Sequence, residues 1–260
     1  MRVHHLIGAR FQIRGMDEFI AHVLLVESPD GLVLVDSGFS RREVASPERL
    51  GPARHVVLLD QDPVNTAAGG VERLGFDPAD VKHIVLTHLD PDHVGGVRDF
   101  PQAAVHTTAR EWKAATASVW PLDRVRYMRS QWKHADMVQH DGPGESWLHG
   151  LSGHRIAEGV TLVPLAGHTM GHAVVAVEGE AGTIVHAGDA AFDGSTIKGT
   201  APDGAPLGAR PRMRVFERMI ARQPTKISAN HRVLAELNAE PNVTVITAHD
   251  TRQFPSIRRP

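Results

Sequence analysis

Short runs of branched aliphatic residues recur along the chain, and four of them end on a side chain able to bind a metal. "HIVLT" runs into His88, "LVPLAG" into His168, "TIVHAG" into Asp189 and "VTVITA" into His249. Runs of this length and composition, bounded by turn residues, read as buried strands. Open α/β sheets place their sites at the carboxyl ends of strands. Four such deliveries are harder to dismiss than one.

The remaining pattern agrees. "HVLLVES" (22–28), a "PDG" turn and "LVLVD" (32–36) read as a hairpin, and "AVVAVEGEAGTIVHA" reads as a second one, with Gly179 and Gly182 in its turn. Further strands are expected at 55–59, 103–106 and 160–165. Helical patterns fall before "RLGFDPAD" and at 108–117, 213–223 and 230–240, the last with Asn230 as its N-cap. Strands and helices that alternate, with hairpins early and midway, predict an α/β chain of mixed sheets covered by helices.

The densest feature is "IVLTHLDPDHVGG", residues 84–96, with His88, Asp90, Asp92 and His93 inside six positions. In an extended segment, residues 88, 90 and 92 point the same way. Pro91 biases Asp90 away from helix, His93 begins a turn, and Gly95 and Gly96 let the backbone approach closely. With 17 His and 17 Asp in 260 residues, a His-x-Asp-x-Asp-His pattern arises by chance in roughly half a percent of such chains. Imidazoles with carboxylates suit first-row divalent ions, and two sets of them suit two ions. Cysteine is absent, which excludes disulfides, thiolate ligands and a cysteine nucleophile.

Composition narrows the partners. A formal net charge of -2 without a basic run gives nucleic acid no electrostatic support. The sequence shows neither a secretory h-region nor an apolar stretch long enough to span a membrane. A single domain over 1–260, cytoplasmic and acting on a small molecule, is the expectation, with a homodimer left open. Trp112, Trp120, Trp132, Trp147 and Tyr127 crowd into one region, which reads as a helical subcore or an apolar lid near 112–150. The Gly/Pro-rich loop 195–212 carries Lys198 and, at its end, Arg212, candidates for contact with an anionic substrate. His172 reads as structural, and His106 and His186 as core or edge residues. His134, His140, His149 and His154 lie in or near the tryptophan region, where one could donate a proton.

With these motifs in hand, the chain resembles the metallo-β-lactamase superfamily. "LVLVDSG", "THLDPDHVGG", "GHTMGH", "HAGDA" and "TAHD" follow one another in family order over nearly the whole length. The layout is most similar to the N-acyl homoserine lactonase branch. That resemblance implies a four-layer αββα sandwich with a dinuclear site at one edge. It implies His88, Asp90 and His168 on one metal, Asp92, His93 and His249 on the other, and Asp189 bridging both. It also implies that Asp36 braces the ligand loops.

Two positions depart from the lactonase pattern. Asp90 stands where the lactonases carry histidine, similar instead to the glutamate of flavodiiron proteins. Zinc is the metal the family implies, and a carboxylate at position 90 draws the expectation toward manganese or iron. Phe192 stands where the lactonases carry a tyrosine, so its hydroxyl must be replaced or dispensed with.

The reading is a metal-dependent hydrolase in which a metal-activated hydroxide attacks an ester-type carbonyl, with a lactone as the best specific substrate and Asp92 or Asp189 relaying the proton. A thioester or β-lactam substrate, an iron-dependent oxidoreductase and a non-catalytic binding module are the alternatives.

Overall fold

Runs such as Leu24–Val26 and Val33–Val35 are wholly buried, so their backbone polar groups must pair with neighbouring strands. The computed structural model describes residues 1–120 and 123–254, with backbone alone at 124 and 125. Its strands in chain order are β1 (Arg2–Ile13), β2 (Glu18–Ser28), β3 (Gly31–Val35), β4 (Val57–Leu59), β5 (Val81–Val85), β6 (Ala104–Thr108) and β7 (Asp136–His140), then β8 (Glu145–Ser146), β9 (Ser152–Ala157), β10 (Val160–Pro164), β11 (Ala173–Gly179), β12 (Gly182–His186) and β13 (Val243–Ile246). The helices are α1 (Arg41–Ala45), α2 (Ala67–Arg73), α3 (Pro91–Val94), α4 (Ala109–Ala117), α5 (Asp123–Arg126), α6 (Arg129–Trp132), α7 (Pro211–Ile220) and α8 (Pro224–Ala239).

The strands form a seven-stranded sheet of order β4-β1-β2-β3-β5-β6-β7 and a six-stranded sheet of order β13-β12-β11-β10-β9-β8. Both are mixed: β3, β5, β6 and β7 run parallel, as do β12 and β13, and the rest pair antiparallel.

Three clusters define four layers. Leu24, Val26, Val33, Val35 and Val85 of the first sheet pack against Leu162, Val175, Val177 and Ile246 of the second. On the outer face of the first sheet, Leu25, Leu34 and Ile84 meet Ala67, Val71 and Trp132 of the helices. On the outer face of the second, Val163, Val174 and Val245 meet Leu234 and Leu237 of α8. The expected αββα sandwich is what the chain builds. Strands covered on both faces lose the alternation that marks half-exposed ones, which is why they read as continuous apolar runs. Among the described residues, no helix is long and apolar enough to cross a membrane.

Several expectations need correction. β1, with twelve residues, and the short strands β7, β8 and β9 were absent from the sequence reading, and the strand expected at 55–59 shrinks to Val57–Leu59. Asn230 does not cap a helix: α8 begins six residues earlier with Pro224 at its first turn, and Asn230 lies inside it, its Nδ2 donating to the Ala166 carbonyl at 3.2 Å. A proline at the first helical position is itself a start signal.

The tryptophans do not form one subcore. Trp112 and Trp132 pack edge to face at 5.0 Å beside buried Tyr127. Trp120 is exposed beneath the Arg222 guanidinium, and Trp147 packs against the outer face of the other sheet.

Candidate metal centre

The segment after β5 departs from the extended course expected of it. Asp90 is extended (φ -69°, ψ 152°), but Pro91 opens α3, so Asp92 and His93 project from a helical turn instead of continuing the alternation. The aliphatic run of β5 delivers His88, the turn after β10 delivers His168, a short turn after β12 delivers Asp189, and the loop after β13 delivers His249.

These seven side chains converge in two groups with the donor chemistry to hold a metal ion: His88, Asp90, His168 and Asp189 in one, and Asp92, His93 and His249 in the other. Asp189 faces both. Its Oδ2 lies 3.6 Å from His88 Nε2 and 3.2 Å from His168 Nε2, and its Oδ1 lies 3.2 Å from His93 Nε2 and 2.9 Å from His249 Nε2. Asp90 Oδ2 is 3.0 Å from His168 Nε2 and 3.5 Å from His88 Nε2. Asp92 Oδ2 is 3.7 Å from His93 Nε2 and 3.5 Å from His249 Nε2. Ligands about 2.1 Å from a tetrahedral ion stand about 3.4 Å apart, so this spacing fits a cation.

The hydrogen bonds of the imidazoles give a further test of fit. His93 Nδ1 donates to Asp36 Oδ2 at 2.8 Å, and His249 Nδ1 donates to the Ile20 carbonyl at 2.8 Å. The Thr87 hydroxyl donates to Asp36, which obliges His88 Nδ1 to donate to Thr87 Oγ1 at 3.0 Å. With Nδ1 protonated, each of these rings turns an Nε2 lone pair into the shared space. His88 Nε2, His93 Nε2 and Asp189 Oδ1 are buried there without a hydrogen-bond partner. Orphaned acceptors of this kind are costly unless a cation or proton satisfies them.

The electrostatics say the same. Burial alone would raise the carboxyl of Asp189, but His249, His93 and His168 hold it well below the usual carboxylate range. Burial would lower His93, yet Asp189, Asp36 and Asp92 carry it well above the ordinary imidazole value.

Sequence reasoning missed the residues that tie the ligand turns together. Buried Glu111, on α4, accepts from the Leu89 N–H (3.1 Å) and the Tyr127 hydroxyl (3.2 Å) through Oε1, and from the Thr169 hydroxyl (2.7 Å) and the Gly171 N–H (3.0 Å) through Oε2. It thereby joins the turn that carries His88 and Asp90 to the turn that carries His168. His172 is structural as expected: its Nδ1 donates to the Leu165 carbonyl and its Nε2 accepts the N–H of Asp189 at 3.0 Å. The available signal for Glu111 was its place three residues after Thr108, a capping pattern at a helix start; Thr108 does cap α4, but the Glu111 carboxylate turns to the ligand-bearing turns instead.

The pocket above the cluster, of about 110 Å³, is lined by Asp90, Asp92, Asp189 and His249 together with Phe11, Phe19, Phe39, Phe192 and Phe216. No described residue of 112–150 lines it, so its apolar wall comes from β1, β2 and α7 in place of the tryptophan region. Lys198 turns inward, its Nζ donating to the Val245 carbonyl at 2.9 Å.

Comparison with known proteins places this architecture. The family model described as Metallo-beta-lactamase superfamily matches residues 16–231. A probable metallo-hydrolase of Mycobacterium tuberculosis is 39% identical over 256 residues, which cover 96% of this chain and 80% of that protein. The N-acyl homoserine lactonase AttM of Rhizobium johnstonii is 32% identical over 159 residues, 57% of this chain and 56% of that one. Among solved structures, an N-acyl homoserine lactone hydrolase with N-hexanoyl-L-homoserine at its catalytic metal centre superposes with a TM-score of 0.70 at 18% identity, covering 96% of this chain and 94% of that one. The chain belongs to the metallo-β-lactamase superfamily, a family of metal-dependent hydrolases.

Proposed function

We propose that this chain hydrolyses a lactone, with two divalent cations held by His88, Asp90, His168 and Asp189 on one side and by Asp92, His93, His249 and Asp189 on the other. The observation that carries the reading is Asp189, whose two oxygens face two separate imidazole pairs at the floor of an apolar pocket. Bound cations would supply the activation of water and the polarisation of a carbonyl. Zinc is the favoured metal, with manganese or iron as the alternatives that Asp90 introduces.

The protein groups divide the remaining work. Asp92, at 18% side-chain exposure the most open of the three carboxylates, takes the proton of the attacking water and returns it to the leaving alkoxide as the ring C–O bond breaks. Phe192 provides no hydroxyl for that alkoxide, and the hydroxyl of Tyr127 is committed to Glu111. Proton return through Asp92 therefore replaces the tyrosine of the lactonase pattern.

The pocket shares Ile13 and Phe216 with an adjoining trough of about 550 Å³ lined by Met16, Val56, Val215 and Met219 together with Arg14 and Arg212. This continuous apolar surface suits an acyl-bearing substrate. The likeness to lactonases over part or all of the chain supports the same choice. The test is elemental analysis of the purified protein followed by a panel of lactones, esters, thioesters and β-lactams. Two metal atoms per chain with lactone turnover is the expected result, and a metal-replete protein inert toward every lactone and ester overturns the reading. Asp90 also sustains a second reading, an iron-dependent oxidoreductase. An iron-loaded protein that consumes oxygen with a candidate substrate would support that one instead.

A further inference from the structure

Among the described residues, Asp90 is the only carboxylate of the cluster that also meets an arginine or lysine side chain. Arg126 Nε lies 3.1 Å from Asp90 Oδ1. The same guanidinium donates to the Ile220 carbonyl at 2.7 Å and to the carbonyl of His168 at 3.4 Å, so it is pinned between the end of α7 and a turn that carries a candidate ligand. The Arg126 and Asp90 side chains are 12% and 10% exposed. Oδ1 makes no directed hydrogen bond, so the contact is chiefly Coulombic. Oδ2 faces the other way, toward His168 and His88. One oxygen of Asp90 thus serves the protein and the other serves the cluster.

The charges give this division a meaning. Two carboxylates and two neutral imidazoles give the group of His88, Asp90, His168 and Asp189 a formal charge of -2, one more negative than it would be with histidine at position 90. The guanidinium returns that unit of charge. We propose that Asp90 and Arg126 act as one unit in place of a neutral imidazole: the carboxylate supplies the ligand oxygen, and Arg126, a positioning residue, cancels its charge and holds it to one-oxygen contact. The proposal rests on the metal-centre reading above. It also weakens the bias toward manganese or iron that the sequence suggests, because Arg126 offsets the charge of Asp90 and holds it to one oxygen.

The test compares the full-length chain with Asp90→His, Arg126→Gln and the double variant. Zinc and manganese are each titrated against a chromogenic chelator, giving stoichiometry and affinity without reference to turnover. Wild type is expected to hold two atoms per chain. Asp90→His alone leaves a buried guanidinium beside a dication without its carboxylate, and should weaken one zinc site by about 30-fold or more. Removal of Arg126 in the double variant should restore zinc binding to within about threefold of wild type, a rescue that a merely structural arginine would not give. Arg126→Gln alone, with Asp90 charged and free to use both oxygens, should shift the zinc-to-manganese preference about tenfold toward manganese.

Additive effects in the cycle, or an unchanged zinc-to-manganese ratio in folded Arg126→Gln, overturn the pairing. The ratio decides by itself if Asp90→His does not fold. A wild type that takes up no metal overturns the underlying metal-centre reading, and the pairing with it.

Discussion

Asp36 offers the sharpest test of how the centre is braced, through Asp36→Asn. The wild-type carboxylate accepts at both oxygens: Oδ1 from the Thr87 N–H at 2.8 Å, Oδ2 from His93 Nδ1 at 2.8 Å, and the Thr87 hydroxyl between them. It is 1% exposed. Burial would push its carboxyl up, but His93 outweighs that and holds it below the ordinary value, so it is ionised across the neutral range. The backbone at Asp36 has φ +57°, a left-handed conformation that asparagine tolerates. The substitution therefore leaves the chain path alone and changes only the hydrogen bonds.

A carboxamide has one acceptor where two are needed. If its NH₂ faces Thr87, two donors oppose each other. If it faces His93, Nδ1 must become the acceptor and the ring proton moves to Nε2, where it occupies the lone pair aimed at Asp189. Either outcome removes a charge-assisted hydrogen bond, about 1.5–3 kcal/mol, which should appear as roughly a 10- to 100-fold loss of metal affinity. The assay is chelator competition on wild type and Asp36→Asn, with circular dichroism to confirm the fold. An affinity within about twofold of wild type, in folded protein, would refute the claim that Asp36 sets the orientation and tautomer of His93.

Three further outcomes are expected. Glu111→Gln places an NH₂ against two of the four donors that Glu111 now satisfies, and should cost about 2–4 kcal/mol in urea unfolding as well as metal affinity. An unchanged urea midpoint would refute its joining role. Gly38→Ala meets both a left-handed backbone (φ +68°) and the Gly8 carbonyl oxygen, which the new Cβ would overlap, whereas Gly51→Ala has φ +55° and open space. The first should cost more than about 3 kcal/mol or prevent folding and the second about 1–2 kcal/mol; equal urea midpoints would show that close approach is not the cause. His106 is lowered to about 4, first by burial and then by His140 and His83, so the fold favours its neutral form. Its contribution is whole above pH 6.5 and falls away as pH drops toward 4, by about 2 kcal/mol after solvent screening. His106→Gln should flatten the urea-stability profile over that interval, and an identical slope would count against it.

What could be read from the chain and what could not divides along sequence distance and residue type. His88, Asp90, Asp92 and His93 declare themselves because they crowd six positions, and His168, Asp189 and His249 because each follows an aliphatic run. Local density and strand-end placement are properties of a string of letters. Even there the conformation eluded sequence reasoning: Pro91 constrains the residue before it to extended backbone and also opens a helix at its own position, and only the second effect determines where Asp92 points. Glu111 and Arg126 could not be read at all. A glutamate on α4 and an arginine on α5 look like the solvated faces of short helices. Their roles depend on a turn at 168–171 and on the end of α7, which lie 42 to 94 residues away in sequence. The pocket wall was misplaced for a related reason. Four tryptophans in one stretch outweighed single phenylalanines scattered from Phe11 to Phe216, yet the latter gather around the candidate metal ligands, brought there from β1, β2, α7 and the loops by the fold. Asp90 shows the consequence most plainly: read alone it is an extra negative charge that alters the metal, and read with Arg126, 36 positions on, it is half of a neutral pair.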